Sequence, residues 1–208
     1  DYPHAFNYAR MMNLAAVNST ADQILFLNND IDVINPDWIE SLLEHAVRPT
    51  VGAVGCRLLY DDGKPQHEGV ILGLIGQAGN AHFDVAADSA GTYHAIASTA
   101  HVIRNFSAVT GACLMMRPSV LAQVGYWDEQ FGVAFNDVDL CLRIRLMGYE
   151  VVYTPFSTLT HYESATRKGH HPMEDDRLLQ ERWGIDLGYG DPFYNPNYAR
   201  RSPFALQV

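Results

Sequence analysis

The sequence predicts an α/β fold: a mixed, mainly parallel sheet flanked by helices. Short apolar runs of strand length alternate with longer segments of helical period. Gly, Pro, Asn and Asp gather at the junctions between them. Two clusters rich in acids and amides, Asn28-Asn29-Asp30-Ile31-Asp32 and Asn136-Asp137-Val138-Asp139, fall where elements meet. The first follows an apolar strand, and open α/β sheets place ligands at the C-terminal ends of strands.

Each element has its own signal. Phe6 to Val17 sets Phe6, Ala9, Met12 and Ala16 on a helical period and stops at Asn18-Ser19-Thr20. Gln23 to Leu27 reads as a buried strand. Asn35-Pro36-Asp37 has the chemistry of a helix start, with Asn at the cap, Pro next and an acid in the first turn. Trp38, Leu42, Leu43 and Ala46 form that helix's expected inner face, and Pro49 ends it. Val51 to Tyr60 is a strand, Asp61-Asp62-Gly63 a turn, and Gly69 to Leu72 a second strand. From Gly73 to Asn105 no period is sustained; irregular inserts of that length are usually functional. Ser107 to Met116 is a strand with Gly111 inside it, where glycine permits close backbone approach. Pro118 to Val124 is a short helix, and Asp137 to Met147 a longer one closed by Gly148. Glu150 to Tyr153 is a strand broken by Pro155. Pro172 to Trp183 is a last helix, with Glu174, Asp175 and Asp176 at its start and Arg182 near its end. The expected domain covers 1–190, followed by a loosely packed tail over 191–208.

Composition removes several classes. The 208 residues carry a formal net charge of −10 and no Lys/Arg-rich block, which excludes a nucleic-acid footprint. An acidic chain that binds phosphate needs local compensation, from a cation or from placed arginines. Cys56, Cys113 and Cys141 form no CxxC pair, so no structural zinc site is expected; each sits in an apolar run and reads as a core residue of a reducing compartment. No apolar run reaches transmembrane length.

The two clusters carry the chemistry. Hard divalent cations take oxygen ligands, commonly one or two carboxylates plus substrate phosphates, which suits Asp30 and Asp32. The alternative is that these residues end a strand and start a helix. In the second cluster, Asn136 or Asp137 can cap the helix, and Asp139 can pair with Arg143 four residues on. A carboxylate at a helix start beside a pocket is also well placed as a general base, which makes Asp137 a candidate.

Further motifs follow in a fixed order: Phe6-Asn7-Tyr8-Ala9 with Asn13, Leu27-Asn28-Asn29-Asp30, Leu58-Leu59-Tyr60-Asp61-Asp62-Gly63 with Gln66-His67-Glu68-Gly69, Thr110-Gly111-Ala112-Cys113-Leu114-Met115, Val124-Gly125-Tyr126-Trp127-Asp128-Glu129-Gln130-Phe131, Asn136-Asp137-Val138-Asp139 and His161-Tyr162-Glu163-Ser164-Ala165-Thr166-Arg167. In that order they resemble the family 2 glycosyltransferases of the GT-A fold, bacterial polysaccharide-synthesis members in particular. Asn28 stands at the first acid of the family's D-x-D region. Asn136 stands where a Glu often precedes the base. The family's opening strands, which hold the nucleotide base, have no counterpart here. The resemblance therefore implies an N-terminally incomplete domain that by itself binds nucleotide weakly.

The resemblance implies inverting transfer of a sugar from a nucleotide-diphosphate donor to a hydroxyl of a saccharide or lipid-linked saccharide, assisted by Mn2+ or Mg2+, in cell-surface polysaccharide synthesis. It implies a cytoplasmic protein associated peripherally with the inner face of a membrane. Asp137 would be the catalytic base, Asp30 and His161 the metal ligands, and Asn28, Asp32 and Arg167 the donor-binding residues. Three of these keep a plain alternative: Asp32 in a strand-to-helix turn, His161 hydrogen-bonded beside Tyr162, and Arg167 on a surface loop. Two rival functions are a non-catalytic assembly or saccharide-binding module, and a nucleotidylyltransferase. The latter needs a Gly-rich basic loop near the N-terminus, which this sequence lacks.

Overall fold

The structure is a computed structural model that describes residues 5–74, 76–81, 100–162 and 173–200, with only the backbone described for 185–187. In chain order the elements are α1 (Tyr8–Val17), β1 (Ile24–Leu27), β2 (Ile31–Val33), α2 (Trp38–Ala46), β3 (Val51–Leu59), β4 (Pro65–His67), β5 (Val70–Leu72), β6 (Ala78–Asn80), β7 (Arg104–Asn105), β8 (Cys113–Met116), α3 (Pro118–Gln123), α4 (Asn136–Leu146), β9 (Glu150–His161) and α5 (Met173–Tyr189). The main sheet runs β1-β8-β3-β9-β2, with β4 also on β3 and β7 also on β9; β5 and β6 pair separately.

The expected mixed sheet with flanking helices is present, but its balance differs from "mainly parallel". Among the described residues only β3 and β9 pair in parallel; the other pairings are antiparallel. The reason is that β8 enters between β1 and β3 and runs against both.

Strand alternation builds a core on each face of the sheet. Leu114 and Met116 of β8 face Phe26, Trp127, Phe131, Leu140 and Ile144, the side of α1, α3 and α4. Cys113 and Met115 face Leu42, Ala46, Val54, Cys56, Leu58 and Leu159, the side of α2. All three cysteines are free and buried. Burial pushes the Cys56 thiol well up and the Cys141 thiol up to about 12, as befits inert core residues.

Several local readings are corrected. β1 is not a buried strand: among the described residues it pairs only with β8, and of its four residues only Phe26 is buried. On α2, Leu43 is exposed and His45 takes the inner position, because 100° per residue carries 43 off the face shared by 42, 45 and 46. Asn35 does not cap α2. Its amide instead donates to Phe156 O (2.7 Å) and to Asp37 Oδ1 (2.8 Å) and accepts from Thr158 N (2.8 Å). Neither Asn136 nor Asp137 caps α4, whose preceding residue is Phe135 in the left-handed region at φ 57°. Gly111 lies in the turn before β8 rather than inside a strand. The chain after Asp191 is not loose at its start: Asp191 is buried, its Oδ2 accepts from Leu72 N at 2.7 Å, and Phe193 and Tyr194 pack on the core.

The most consequential correction concerns β9. Pro155 does not end it. The β3 partner shifts from Thr154 opposite Cys56 to Thr158 opposite Arg57, so residues 155–157 form a bulge and pairing resumes. A bulge is where a strand tolerates proline, since no ladder donor is needed there. The continued strand pairs with β2, a strand the sequence reading missed, and ends at His161. No helix among the described residues is long and apolar enough to cross a membrane.

Candidate functional site

The end of β1 and the end of β9 meet. The β2–β9 register sets Ile31 opposite His161, and Tyr162 N donates to Asp30 O at 3.0 Å. His161 Nε2 lies 3.2 Å from Asp30 Oδ1 and 3.2 Å from Asn28 Nδ2. Both side chains are mostly buried, 11% exposed for His161 and 20% for Asp30. His161 Nδ1 lies 2.6 Å from Gln66 Oε1. Three of the candidates, Asn28, Asp30 and His161, are thus brought together.

Asp137 arrives from the other side, in the first turn of α4. Its Oδ2 accepts the Gly111 N–H at 2.9 Å and its Oδ1 accepts the Val138 N–H at 2.9 Å. The next residue, Ala112, accepts the Asn28 N–H at 2.9 Å. One short turn, Gly111-Ala112, therefore joins the base candidate to the strand end that carries Asn28 and Asp30. Tyr8 Oη holds the same turn by donating to Gly111 O at 2.6 Å. A Cβ on Gly111 would sit 3.1 Å from Trp127 Cη2 and in ordinary contact, 3.5 Å, with Asp137 Cβ, so the close approach this glycine permits is to the Trp127 ring beside the candidate base.

Asp139, two residues on, has a different fate. It is fully buried, with Arg143 Nε at 2.8 Å, Arg182 Nη1 at 2.7 Å and Trp183 Nε1 at 3.0 Å. Arg143 also donates to the carbonyls of Val124 and Tyr126. Every oxygen of Asp139 is engaged in holding α4 to its neighbours, which fits the i,i+4 pair read from sequence. Asp32 stands on β2, exposed, and accepts from Tyr162 Oη at 2.7 Å. Arg167 lies outside the described residues, as do His82, His94, His170 and His171.

Sequence reading missed two supports, Asp175 and Gln66, and took a third, His67, as a packing residue. Asp175 of α5 is buried and accepts three backbone N–H groups, from Gly132 (3.0 Å), Val133 (2.9 Å) and Ala134 (2.8 Å), fixing the loop that enters α4. Gln66 grips His161. His67, 1% exposed, has Nδ1 2.6 Å from Asn80 Oδ1 and accepts from Thr110 N at 3.3 Å, steadying the Gly111 turn. A run of three polar residues, Gln66-His67-Glu68, right after a turn was the available signal.

Burial holds the His67 imidazole below its ordinary value. The folded state keeps it neutral, while the unfolded chain takes the proton near pH ~6.5, so stability falls as pH drops through that value. His67→Gln is expected to flatten this acid limb by up to about 1.4 kcal/mol per pH unit, measured by urea unfolding at about pH 7.5 and about pH 5.5. An unchanged slope would refute the assignment.

Among the described residues no group of three or more His, Cys, Asp or Glu gathers as a metal cluster. The Asp30 carboxylate and the His161 imidazole nevertheless form a donor set suited to a cation such as Mn2+ that draws its other ligands from substrate phosphates.

The sequence matches the family described as glycosyltransferase like family 2 over residues 6–180. It is 39% identical over 211 residues to uncharacterized protein y4gI of Sinorhizobium fredii, covering 97% of this chain and 23% of that protein. It is also 39% identical over 198 residues to O-antigen biosynthesis protein RfbC of Myxococcus xanthus, covering 94% of this chain and 15% of that protein. The chain thus spans less than a quarter of either relative. In fold it is similar to the crystal structure of GalNAc-T7 with UDP, GalNAc and Mn2+, at a TM-score of 0.65 and 11% identity over 90% of this chain and 37% of that one. The family match over most of its length, together with a GT-A architecture, makes this chain a member of glycosyltransferase family 2.

Proposed function

We propose that this chain is the catalytic part of an inverting, metal-assisted glycosyltransferase that moves a sugar from a nucleotide-diphosphate donor to a saccharide or lipid-linked saccharide hydroxyl in cell-surface polysaccharide synthesis. The observation that carries this reading is the short turn at Gly111-Ala112, which ties the Asp137 carboxylate to the strand end bearing Asn28 and Asp30. The Myxococcus relative, an O-antigen biosynthesis protein, supports the polysaccharide context, and the ligands of GalNAc-T7 support a nucleotide donor and Mn2+.

Asp30 and His161 would hold the divalent cation, which when bound supplies charge neutralisation for a departing diphosphate. Asn28 has an amide directed at the same imidazole and would face the donor phosphates. Asp32 and Arg167 belong to the donor side in this reading. Asp137 accepts the proton of the acceptor hydroxyl as that oxygen attacks the anomeric carbon. Its two backbone N–H bonds fix the carboxylate's orientation. Attack from the face opposite the leaving diphosphate inverts the anomeric configuration.

The test is nucleotide release from UDP-, GDP- and dTDP-sugars with Mn2+, measured on the full-length protein, with product configuration read by NMR. Metal-dependent release and an inverted product are expected. No release and no metal-dependent nucleotide binding would instead favour an assembly or saccharide-binding module.

A further inference from the structure

Gln66 sits on β4, buried, and commits both atoms of its amide to one residue. Its Nε2 donates to the backbone carbonyl of His161 at 3.2 Å, and its Oε1 lies 2.6 Å from His161 Nδ1. A carbonyl oxygen can only accept, so the –NH2 of Gln66 must face it and Oε1 must face the ring. An amide oxygen also only accepts. Nδ1 therefore carries a hydrogen, and when the ring is neutral the lone pair falls on Nε2. That atom faces Asp30 Oδ1 and Asn28 Nδ2, each at 3.2 Å. The lone pair thus receives the Asn28 amide N–H and lies beside a carboxylate oxygen, so a cation taking the place of that N–H would meet both Nε2 and Asp30.

The geometry points to Gln66 as a positioning residue that locks His161 in its Nδ1–H form, so that Nε2 and Asp30 are offered together to a divalent cation. The cation part rests on the metal-assisted reading above; the tautomer does not. A histidine that binds metal through one nitrogen generally donates its other N–H to an oxygen acceptor, which orients the ring and raises its basicity. Gln66 supplies that acceptor without charge. Its second bond, to the His161 backbone, fixes which way the amide points, so the acceptor cannot become a donor by a flip. β4 is held in turn by pairing with β3, His67 opposite Leu58 and Pro65 opposite Leu59.

The experiment is long-range 1H–15N NMR of the His161 ring in metal-free protein at alkaline pH, with Mn2+ affinity measured separately in the presence of inorganic pyrophosphate. The wild-type ring is expected as the Nδ1–H tautomer. Gln66→Leu is expected to release it toward the Nε2–H form and to weaken Mn2+ binding by about 10–100-fold. Gln66→Glu, which keeps an acceptor at Nδ1, is expected to retain the tautomer. A wild-type ring in the Nε2–H form, or an unchanged tautomer in a folded Gln66→Leu protein, would overturn the assignment. The wild-type measurement decides even where the leucine variant does not fold. The expected tautomers without Mn2+ binding in any of the proteins would uphold the role of Gln66 and remove the cation from the proposed function.

Discussion

Asp137→Asn is expected to abolish sugar transfer while leaving nucleotide binding within about twofold. An amide cannot take the acceptor's proton, and general base catalysis of this kind typically contributes ~10²–10⁴-fold. The exchange is nearly isosteric and keeps one oxygen that can accept the Gly111 N–H, now 2.9 Å from Oδ2, giving up the bond from Val138 N within the helix's own first turn. The turn that joins Asp137 to the strand end of Asn28 and Asp30 should therefore survive, which separates loss of chemistry from loss of structure. Turnover and calorimetric nucleotide affinity check this together. Unchanged turnover would remove Asp137 from its role. Loss of both turnover and nucleotide affinity would show that the carboxylate holds the site rather than acts in it.

Asp139→Asn, two residues away, is expected to do the reverse: to destabilise the fold before it touches chemistry. Asp139 has no exposed surface, and its ion pairs reach Arg143 on its own helix and Arg182 on α5. Removing one member of a buried charge network costs roughly 3–5 kcal/mol when its partners are left uncompensated; here Arg143 loses its carboxylate, while Arg182 keeps Asp128 at 2.7 Å. We expect about 3 kcal/mol, toward the lower end, because Arg143 and Arg182 keep 20% and 28% of their side chains in solvent. For a chain of this size that corresponds to a fall in Tm of roughly 6–12 °C, readable by calorimetry. A shift below about 2 °C would mean that the network is not what binds α4 to α5. Two carboxylates on one helical turn are thus separated by environment: one partly exposed and held by backbone N–H groups, one sealed against arginines.

What the sequence disclosed follows the range of the interactions. Asp139 with Arg143 was legible because helical spacing dictates the pair. Asp30 was legible because an apolar strand ended on it, and Asp137 because it opened a helix; the resemblance then singled both out. Gln66 was legible only as part of a polar run after a turn; its role was not, since its partner is 95 residues away and nothing local sets a glutamine's contacts. Asp175 looked like a residue complementing a helix dipole, yet its carboxylate serves a loop 41–43 residues earlier. Pro155 was read by the rule that proline ends strands, and the rule fails where a bulge removes the need for a donor. Asn35 had every local mark of a helix cap, and tertiary demand overrode it.

That demand has a consequence for how this chain can change. Asn35 clasps the bulge of β9 through Phe156 O and Thr158 N, and the strand beyond it delivers His161 to Asp30. Side chains alternate along a strand, so one residue gained or lost between Thr154 and Thr158 would turn His161 to the opposite side of the sheet. Phe156 is 60% exposed and its identity is free to drift. The number of residues there is not: this surface stretch should accept substitutions readily and insertions or deletions hardly at all.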